Sequence, residues 1–227
     1  MPIKLAVFDI AGTTITDDNA VANAFRKAFE VYGYTIAEED IKPLMGYKKP
    51  VAIQIMLEKM GAEMDEELVD DIHHEFETEM LDHYEYSPDV KPMPGAEDVM
   101  MQLKEKGIRI ALNTGFSKAI ADTIMSRLQW IDKGLVDDYI ASDEVDEGRP
   151  GPLMIQVLMQ RAGIDNAREV IKIGDTEVDV NEGINAGCMM VIAVTTGAFT
   201  RDQLQPYTPD YIIDNLSELP ALIFDCD

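Results

Sequence analysis

Short apolar runs alternate along the chain with stretches in which apolar residues recur every three or four positions. The apolar runs predict six buried strands, at Ile3–Ile10, Ile108–Thr114, Tyr139–Ser142, Val170–Gly174, Met190–Thr195 and Tyr211–Ile213. Amphipathic stretches between them predict helices, at Glu97–Lys106, Lys118–Leu128 and Pro152–Ala162. This alternation predicts an α/β fold, with a Rossmann-like, mostly parallel sheet covered by helices on both faces.

The stretch after the first strand departs from that alternation. It contains no convincing strand pattern and instead predicts three helices, at Asn19–Tyr32, Pro50–Met60 and Glu66–Tyr84. A Pro-rich segment, residues 86–95, then leads back to the alternating part. We therefore predict a catalytic core of residues 1–16 and 92–227 with a helical cap domain, residues 17–91, inserted after the first strand as a lid.

The charge balance limits the classes of partner. The 19 Lys and Arg residues against 43 Asp and Glu give a formal net charge of −24. A surface that acidic repels nucleic acid and anionic membranes, so we expect neither as a partner. It also repels anionic substrates, so a phosphate-using site would need local positive charge from a metal, Lys, Arg or helix N-termini.

Cysteine usage and hydropathy indicate a cytoplasmic protein. The two cysteines, Cys188 and Cys226, are too few for a disulfide framework, and we expect both to be free thiols in a reducing compartment. The N-terminal residues do not have the pattern of a signal peptide. No apolar segment approaches the ~20 residues that cross a bilayer.

Polar residues follow several predicted strands at the edge where open α/β sheets bind their ligands. Asp9 ends the first strand, and Thr114 with Gly115 ends the second at the start of a helix, which suits a phosphate group. Asp175 and Asp179 follow the fourth strand, where they suit a hard divalent cation such as Mg²⁺. Each feature taken alone is also compatible with an ordinary loop, turn or helix cap.

A further cation lies in the segment Gly148-Arg149-Pro150-Gly151-Pro152. An Arg framed by Gly and Pro is a fixed positive charge, which can balance a phosphoryl group or a carboxylate. A surface turn is the alternative interpretation of this segment.

Taken in order, Asp-x-x-Gly-Thr, a strand ending in Thr-Gly, a basic residue before Pro, and Gly-Asp-Thr-x-x-Asp resemble the haloacid dehalogenase superfamily over the whole chain. Most of its members transfer phosphoryl groups through an aspartyl intermediate. The resemblance implies that Asp9 is the nucleophile. It implies that Thr114 holds the phosphoryl oxygens and that Arg149 replaces the Lys of most relatives.

The resemblance also implies a metal site and a substrate site. Mg²⁺ would be held by Asp9, Asp175 and the carbonyl of Ala11, with Asp179 supporting the metal. The implied substrate-binding positions are Gly12, Thr13, Met45, Gly46, Gly115 and Phe116. The implied partner is a small phosphorylated or phosphonate substrate, and relatives often form a homodimer through the cap.

At Ala11 the chain differs from most phosphatases of the superfamily, and this difference narrows the range of expected substrates. Most phosphatases of the superfamily have there a second Asp, the general acid for the leaving alcohol, whose loss typically costs about 10²–10⁴-fold in rate. Ala11 together with Arg149 matches the phosphonatase branch, the phosphonoacetaldehyde hydrolases and their relatives. These enzymes cleave a carbon–phosphorus bond after a cap Lys forms a Schiff base with the substrate, and the pattern Met-Gly-x-x-Lys places that role on Lys49.

Local physics supports a reactive amine at Lys49. With Pro50 at the first helical position, Lys49 is predicted to be the N-cap, where the helix dipole opposes a positive charge. Lys48 and a nearby metal would add repulsion, and all three effects favour the neutral, nucleophilic amine. The alternative is a solvated Lys48–Lys49 pair that attracts phosphate to an acidic protein.

One mismatch widens the expected substrate class. Phosphonoacetaldehyde hydrolases place a His three residues beyond the Lys as a proton shuttle, and this chain has Ala52. We therefore expect a phosphonatase-like hydrolase for some 2-oxoalkylphosphonate, in which another base or water moves protons. The alternatives are a phosphomonoesterase for a phosphoglycolate- or sugar-phosphate-like metabolite, and a degenerate protein that only binds a phosphorylated ligand.

Overall fold

The computed structural model describes residues 2–62 and 65–224. Within them the chain forms one six-stranded parallel sheet, in the order β3-β2-β1-β4-β5-β6. The strands are β1 Leu5–Asp9, β2 Arg109–Thr114, β3 Asp138–Ala141, β4 Val170–Gly174, β5 Met190–Val194 and β6 Tyr211–Ile213. This confirms the predicted α/β, Rossmann-like fold.

Helices cover both faces of the sheet. They are α1 Ala20–Val31, α2 Glu38–Ile41, α3 Lys49–Lys59, α4 Glu66–Tyr86, α5 Ala96–Glu105, α6 Lys118–Leu128, α7 Leu153–Ala162, α8 Glu177–Ala186, α9 Arg201–Leu204 and α10 Leu219–Phe224. Every predicted strand and helix is present, with its ends within two residues of the prediction. The helices α2, α8, α9 and α10 were not among the predicted elements.

The central strand places Asp9 at the carboxyl edge of the sheet. All five residues of β1 are buried, because β2 and β4 flank the strand and helices cover both of its faces. Asp9 pairs in register with Asn113 of β2, so the ends of these neighbouring strands meet at one edge. Ligands of open parallel sheets bind at this edge.

Helices α1 to α4 occupy the predicted cap region. The rings of Phe25 on α1 and Phe76 on α4 lie 4.5 Å apart, centroid to centroid. The two connecting segments run side by side, since the Thr16 amide donates to the Lys91 carbonyl over 3.0 Å and the Met93 amide to the Thr14 carbonyl over 2.8 Å. The helices share one continuous hydrophobic cluster with a face of the sheet, so the division into cap and core stays a prediction.

Two expectations about the chain as a whole concern its cysteines and the length and hydropathy of its helices. Cys188 is buried and free, as predicted, whereas Cys226 lies outside the described residues. Among residues 2–62 and 65–224, no helix combines the length and the apolar character that crossing a membrane requires.

Candidate active site

Asp9 is paired with a buried arginine. Its side chain is nearly inaccessible, and Oδ1 accepts a hydrogen bond of 2.7 Å from Nη1 of Arg149. The same guanidinium nitrogen also donates to Asp179. The pKa of Asp9 is raised to about 6, mainly by burial and also by the Asp179 carboxylate, while Arg149 and Lys172 act in the opposite direction. Arg149 therefore orients the Asp9 carboxylate and favours its ionised form.

Asp175, which follows β4, is fixed by two donors. Oδ1 accepts from the Thr13 hydroxyl over 3.0 Å, and Oδ2 accepts from the backbone amide of Ala198 over 2.7 Å. Burial and the carboxylates of Asp9 and Asp179 nevertheless raise the pKa of Asp175 well above its usual range. The cluster thus holds more negative charge than its donors compensate.

The donor set fits a divalent cation. Asp9, Asp175 and Asp179 are buried, and each offers one carboxylate oxygen within 4.8 Å of the other two. Such a set suits a hard ion such as Mg²⁺, which would offset the charge that raises the pKa of Asp175. Asp179 itself is held by cations, because Arg149 and Lys172 lower its pKa to about 2. Its expected supporting role agrees with these contacts.

Asp179 also lies in the first turn of α8, whose N-cap is Thr176. Its Oδ2 accepts from the Thr176 backbone amide over 3.2 Å, so the side chain caps the helix while its other oxygen faces Arg149. The capping role and the functional role of this residue are therefore compatible.

The end of β2 forms a polar cradle. Oγ1 of Thr114 accepts from the Phe116 amide over 3.1 Å, so its hydroxyl hydrogen is available to a ligand oxygen. At Gly115 a Cβ atom would lie 2.5 Å from the carbonyl oxygens of Gly46 and Tyr47. The cap loop is thus seated directly on this turn, and only glycine permits the contact.

Lys49 points into the protein. It is the first residue of α3 and Lys48 is the N-cap, so the predicted cap position was wrong by one residue. The Lys49 side chain is only 3% exposed. Nζ lies 5.5 Å, 5.8 Å and 5.1 Å from the ring centroids of Phe25, Phe76 and Phe116. The predicted alternative of a solvated lysine pair does not describe this side chain.

Burial is the main reason that the Lys49 amine is easily deprotonated. Burial is the largest of the effects that together bring the pKa of Lys49 to about 8, and the positive charge of Arg149 is the second. Three carboxylates oppose the change, those of Asp9, Asp17 and Asp175. Rings around the ammonium group also favour its charged form, by roughly 0.5–2 kcal/mol for an interaction of this type.

Lys48 has a different role from the one predicted for it. It is not among the main causes of the lowered pKa of Lys49. Its Nζ donates to the carbonyl of Val145 over 3.2 Å. Lys48 therefore fastens the loop before α3 to the segment that follows β3, and Arg149 supplies the repulsion that was expected from Lys48.

A cavity of about 40 Å³ joins the carboxylate cluster to the Lys49 amine. All predicted site residues except Thr13 and Asp179 line it, Ala11 and Met45 among them. The two exceptions hydrogen-bond to Asp175 and Arg149, which do line it. Four residues that were not predicted complete the wall: Asp17, Val21, Thr176 and Ala198.

A buried network under the site also escaped prediction. Lys172 of β4 is fully buried, with Nζ 2.6 Å from Oδ1 of Asn113, 3.0 Å from Asp179 and 3.1 Å from Glu182. The Asn113 amide donates to Glu182 over 2.7 Å. The network fixes Asp179 and, through it, Arg149. The signal was a lone Lys in an apolar strand, since lysines are rarely buried without partners.

Comparisons with known proteins agree with this geometry. The family model described as haloacid dehalogenase-like hydrolase matches residues 6–194. The phosphonoacetaldehyde hydrolase of Paraburkholderia phytofirmans is 26% identical over 260 residues, covering 99% of this chain and 96% of that protein. The phosphonoacetaldehyde hydrolase of Lysinibacillus sphaericus is 30% identical over 204 residues, covering 84% and 74%.

A solved structure shows the same fold. The phosphonoacetaldehyde hydrolase-like protein from Oleispira antarctica superposes with a TM-score of 0.87 at 22% identity, covering 99% of this chain and 92% of that one. Fold, motif order and sequence relatives agree. The chain therefore belongs to the haloacid dehalogenase superfamily of hydrolases and is similar to its phosphonatase branch.

Proposed function

We propose that the protein is a Mg²⁺-dependent hydrolase that cleaves the carbon–phosphorus bond of a small 2-oxoalkylphosphonate, phosphonoacetaldehyde or a close analogue. The observation that carries this proposal is the position of one amine. Lys49, buried and with a pKa lowered to about 8, lines the same cavity as Asp9. The relatives named as phosphonoacetaldehyde hydrolases support the substrate class.

Lys49 supplies the electron sink. At neutral pH a fraction of the amine is unprotonated and attacks the carbonyl carbon of the substrate, and loss of water gives an iminium ion. The iminium carbon lies next to the carbon that bears phosphorus. Electrons of the breaking bond can therefore move toward nitrogen and leave an enamine.

Asp9 receives the phosphoryl group. Its carboxylate, oriented by Arg149, attacks phosphorus while the carbon–phosphorus bond breaks, and water later releases phosphate from the aspartyl intermediate. The Thr114 hydroxyl is available to a phosphoryl oxygen. Mg²⁺, held by Asp9 and Asp175, would neutralise phosphoryl charge. No proton donor is needed at Ala11, because the leaving group is an enamine.

Trapping the iminium tests the proposal. Phosphonoacetaldehyde and cyanoborohydride are added to the wild-type protein and to Lys49→Met, with Lys48→Met as the matched control. We expect an adduct on Lys49 by mass spectrometry in the wild type and in Lys48→Met. Lys49→Met should form no adduct and release no phosphate from the phosphonate.

The phosphomonoesterase alternative gives the opposite result. Phosphate release from esters such as phosphoglycolate would then exceed release from the phosphonate and would survive in Lys49→Met. That pattern, or the absence of any Lys49 adduct with phosphonoacetaldehyde and its methyl ketone analogue, would overturn the proposal.

A further inference from the structure

Asp17 is an acid on the cavity wall that the phosphoryl-transfer steps do not use. It lies just before α1, and its Oδ1 accepts from the Val21 amide over 3.1 Å. Asp9 and Asp179 each form an ion pair with Arg149. Among residues 2–62 and 65–224, no basic side chain lies within 4.0 Å of the Asp17 carboxylate. One of its oxygens is therefore left for exchange with a ligand.

Iminium formation requires a group that moves protons. A protonated lysine must lose a proton before it attacks, and the carbinolamine oxygen must gain one before it leaves as water. Ala52, one turn into α3, is buried and has no titratable group. Arg149 stays protonated, and Asp9 and Asp175 are committed to phosphorus and to the expected metal.

We propose that Asp17 carries this proton between Lys49 and the carbonyl oxygen of the substrate. The inference rests on the proposed Schiff-base function and names a further catalytic residue for it. Asp17 lines the cavity together with Lys49, without forming a direct ion pair with it. A substrate bound to the amine can thus place its oxygen between the two groups.

The proton balance closes with Asp17 alone. Its carboxylate takes one proton from the Lys49 ammonium, and the free amine adds to the carbonyl. Asp17 gives this proton to the carbinolamine oxygen and takes a second proton from nitrogen, which leaves a neutral carbinolamine. Asp17 then gives the second proton to the hydroxyl group, the carbon–oxygen bond breaks, and water leaves. The iminium keeps one nitrogen proton, and Asp17 is again a carboxylate. After carbon–phosphorus cleavage, a proton from solvent water adds to the enamine carbon, and hydrolysis of the resulting iminium follows the reverse order.

The surroundings of Asp17 suit an acid that gains and loses a proton. Burial raises its pKa, while the Val21 amide, Lys49 and His83 lower it and Asp18 raises it. A second cavity of about 320 Å³ shares Asp17, Met45 and Ala198 with the cavity that Lys49 lines. Asp17 therefore borders both the cavity of Lys49 and a larger space from which water can be exchanged.

The test compares Asp17→Asn with Asp18→Asn, a matched control one residue away on an exposed side chain. Asn keeps an acceptor for the Val21 amide. The measurements are the rate of adduct formation on Lys49 with phosphonoacetaldehyde and cyanoborohydride between pH 6 and 9, the affinity for inorganic phosphate, and the thermal midpoint. Asp17→Glu measures rescue by a carboxylate.

We expect Asp17→Asn to form the adduct about 10²-fold more slowly, as for the loss of a positioned acid–base group. Its phosphate affinity and thermal midpoint should match those of the wild type, and Asp17→Glu should recover part of the rate. If Asp17→Asn forms the adduct as fast as the wild type, the proposed role of Asp17 is overturned, whereas the Schiff-base function stands. A parallel loss of trapping and phosphate affinity would also overturn the proposed role of Asp17, in favour of a structural role. Absence of trapping in the wild type would overturn the Schiff-base function itself.

Discussion

The hydroxyl of Tyr47 donates a hydrogen bond of 3.0 Å to Oε1 of Glu177. Tyr47 belongs to the loop before α3, and Glu177 begins α8, two residues beyond Asp175. Glu177 also lies near the phenol of Tyr207, and it contributes to raising the pKa of both phenols. One carboxylate thus holds the loop that leads to Lys49 against the edge of the sheet that is followed by Asp175.

Removing the Tyr47 hydroxyl should weaken the contact between the loop before α3 and the start of α8. A hydrogen bond of this kind contributes about 0.5–1.5 kcal/mol, or up to about 3 kcal/mol to a charged acceptor, so Tyr47→Phe should lower kcat/KM by roughly 3- to 100-fold. Tyr207→Phe removes the other phenol from Glu177 and leaves the loop bond in place. Equal losses in the two variants would show that the loop bond has no special role in closure.

A methyl group at Gly115 should keep the loop away from the core. Its Cβ would lie 2.5 Å from the carbonyl oxygens of Gly46 and Tyr47, and these backbone atoms can move only if the loop lifts. We expect Gly115→Ala to lower kcat/KM by about 10²-fold or more, as misplacement of a catalytic group by 1 Å does. The thermal midpoint should fall modestly, since a lifted loop loses the hydrogen bonds of Tyr47 to Glu177 and of Lys48 to Val145. Activity close to that of the wild type would contradict the tight contact.

The burial that favours the neutral Lys49 amine should also lower the free energy of unfolding. Its pKa is about 8 in the folded protein, below the ordinary value of 10.5, so burying the charged amine costs about 3 kcal/mol when both states are protonated. The three rings offset part of this cost. We expect Lys49→Met to raise the free energy of unfolding by about 1–3 kcal/mol at pH 7.

The pH dependence of the stability difference between Lys49→Met and the wild type shows whether the charge of Lys49 is its cause. Between pH 8 and 10.5 the unfolded chain holds the Lys49 proton more tightly than the folded one, so the cost to the wild type disappears as the pH rises. Urea unfolding at pH 7 and at pH 10 should show a smaller difference between the two proteins at the higher pH. A constant difference would indicate that packing of Met, and not charge, is responsible.

A divalent metal should stabilise the protein through its carboxylate cluster. Binding to the folded state alone adds about 2.7 kcal/mol at a concentration of 100 times Kd. We expect millimolar Mg²⁺ to raise the thermal midpoint by several degrees and chelation to reverse the change. Asp175→Asn should remove the response, whereas Asp143→Asn, outside the acidic cluster, should keep it. A response that persists in Asp175→Asn would place the metal elsewhere.

The local sequence pattern was sufficient to predict the helices and strands and the positions of the motifs. Strand ends are readable because a buried run stops where a carboxylate or a turn begins, as at Asp9 and Thr114. The parallel order of the strands then brings those ends to one edge. For this reason most predicted site residues line a single cavity.

Contacts between distant segments could not be predicted in the same way. Asn113, Lys172 and Glu182 are separated by 59 and 69 residues along the chain, measured from Asn113, and meet only because β2, β4 and α8 pack together. The environment of Lys49 is of the same kind, since Phe25, Phe76 and Phe116 come from three different elements. Motif spacing identified the strand ends that meet at one edge, but it did not identify which buried side chains elsewhere become neighbours.

The sequence by itself determined the family, the α/β fold and the residue types of the candidate site, because these depend on local order and on short motifs. Only the tertiary structure decided that the Lys49 amine is buried, that Arg149 bridges Asp9 and Asp179, and that Asp17 lines the cavity. The physical reason is that desolvation and pairing of charge depend on three-dimensional surroundings. A residue's own neighbours in the chain contribute only part of them.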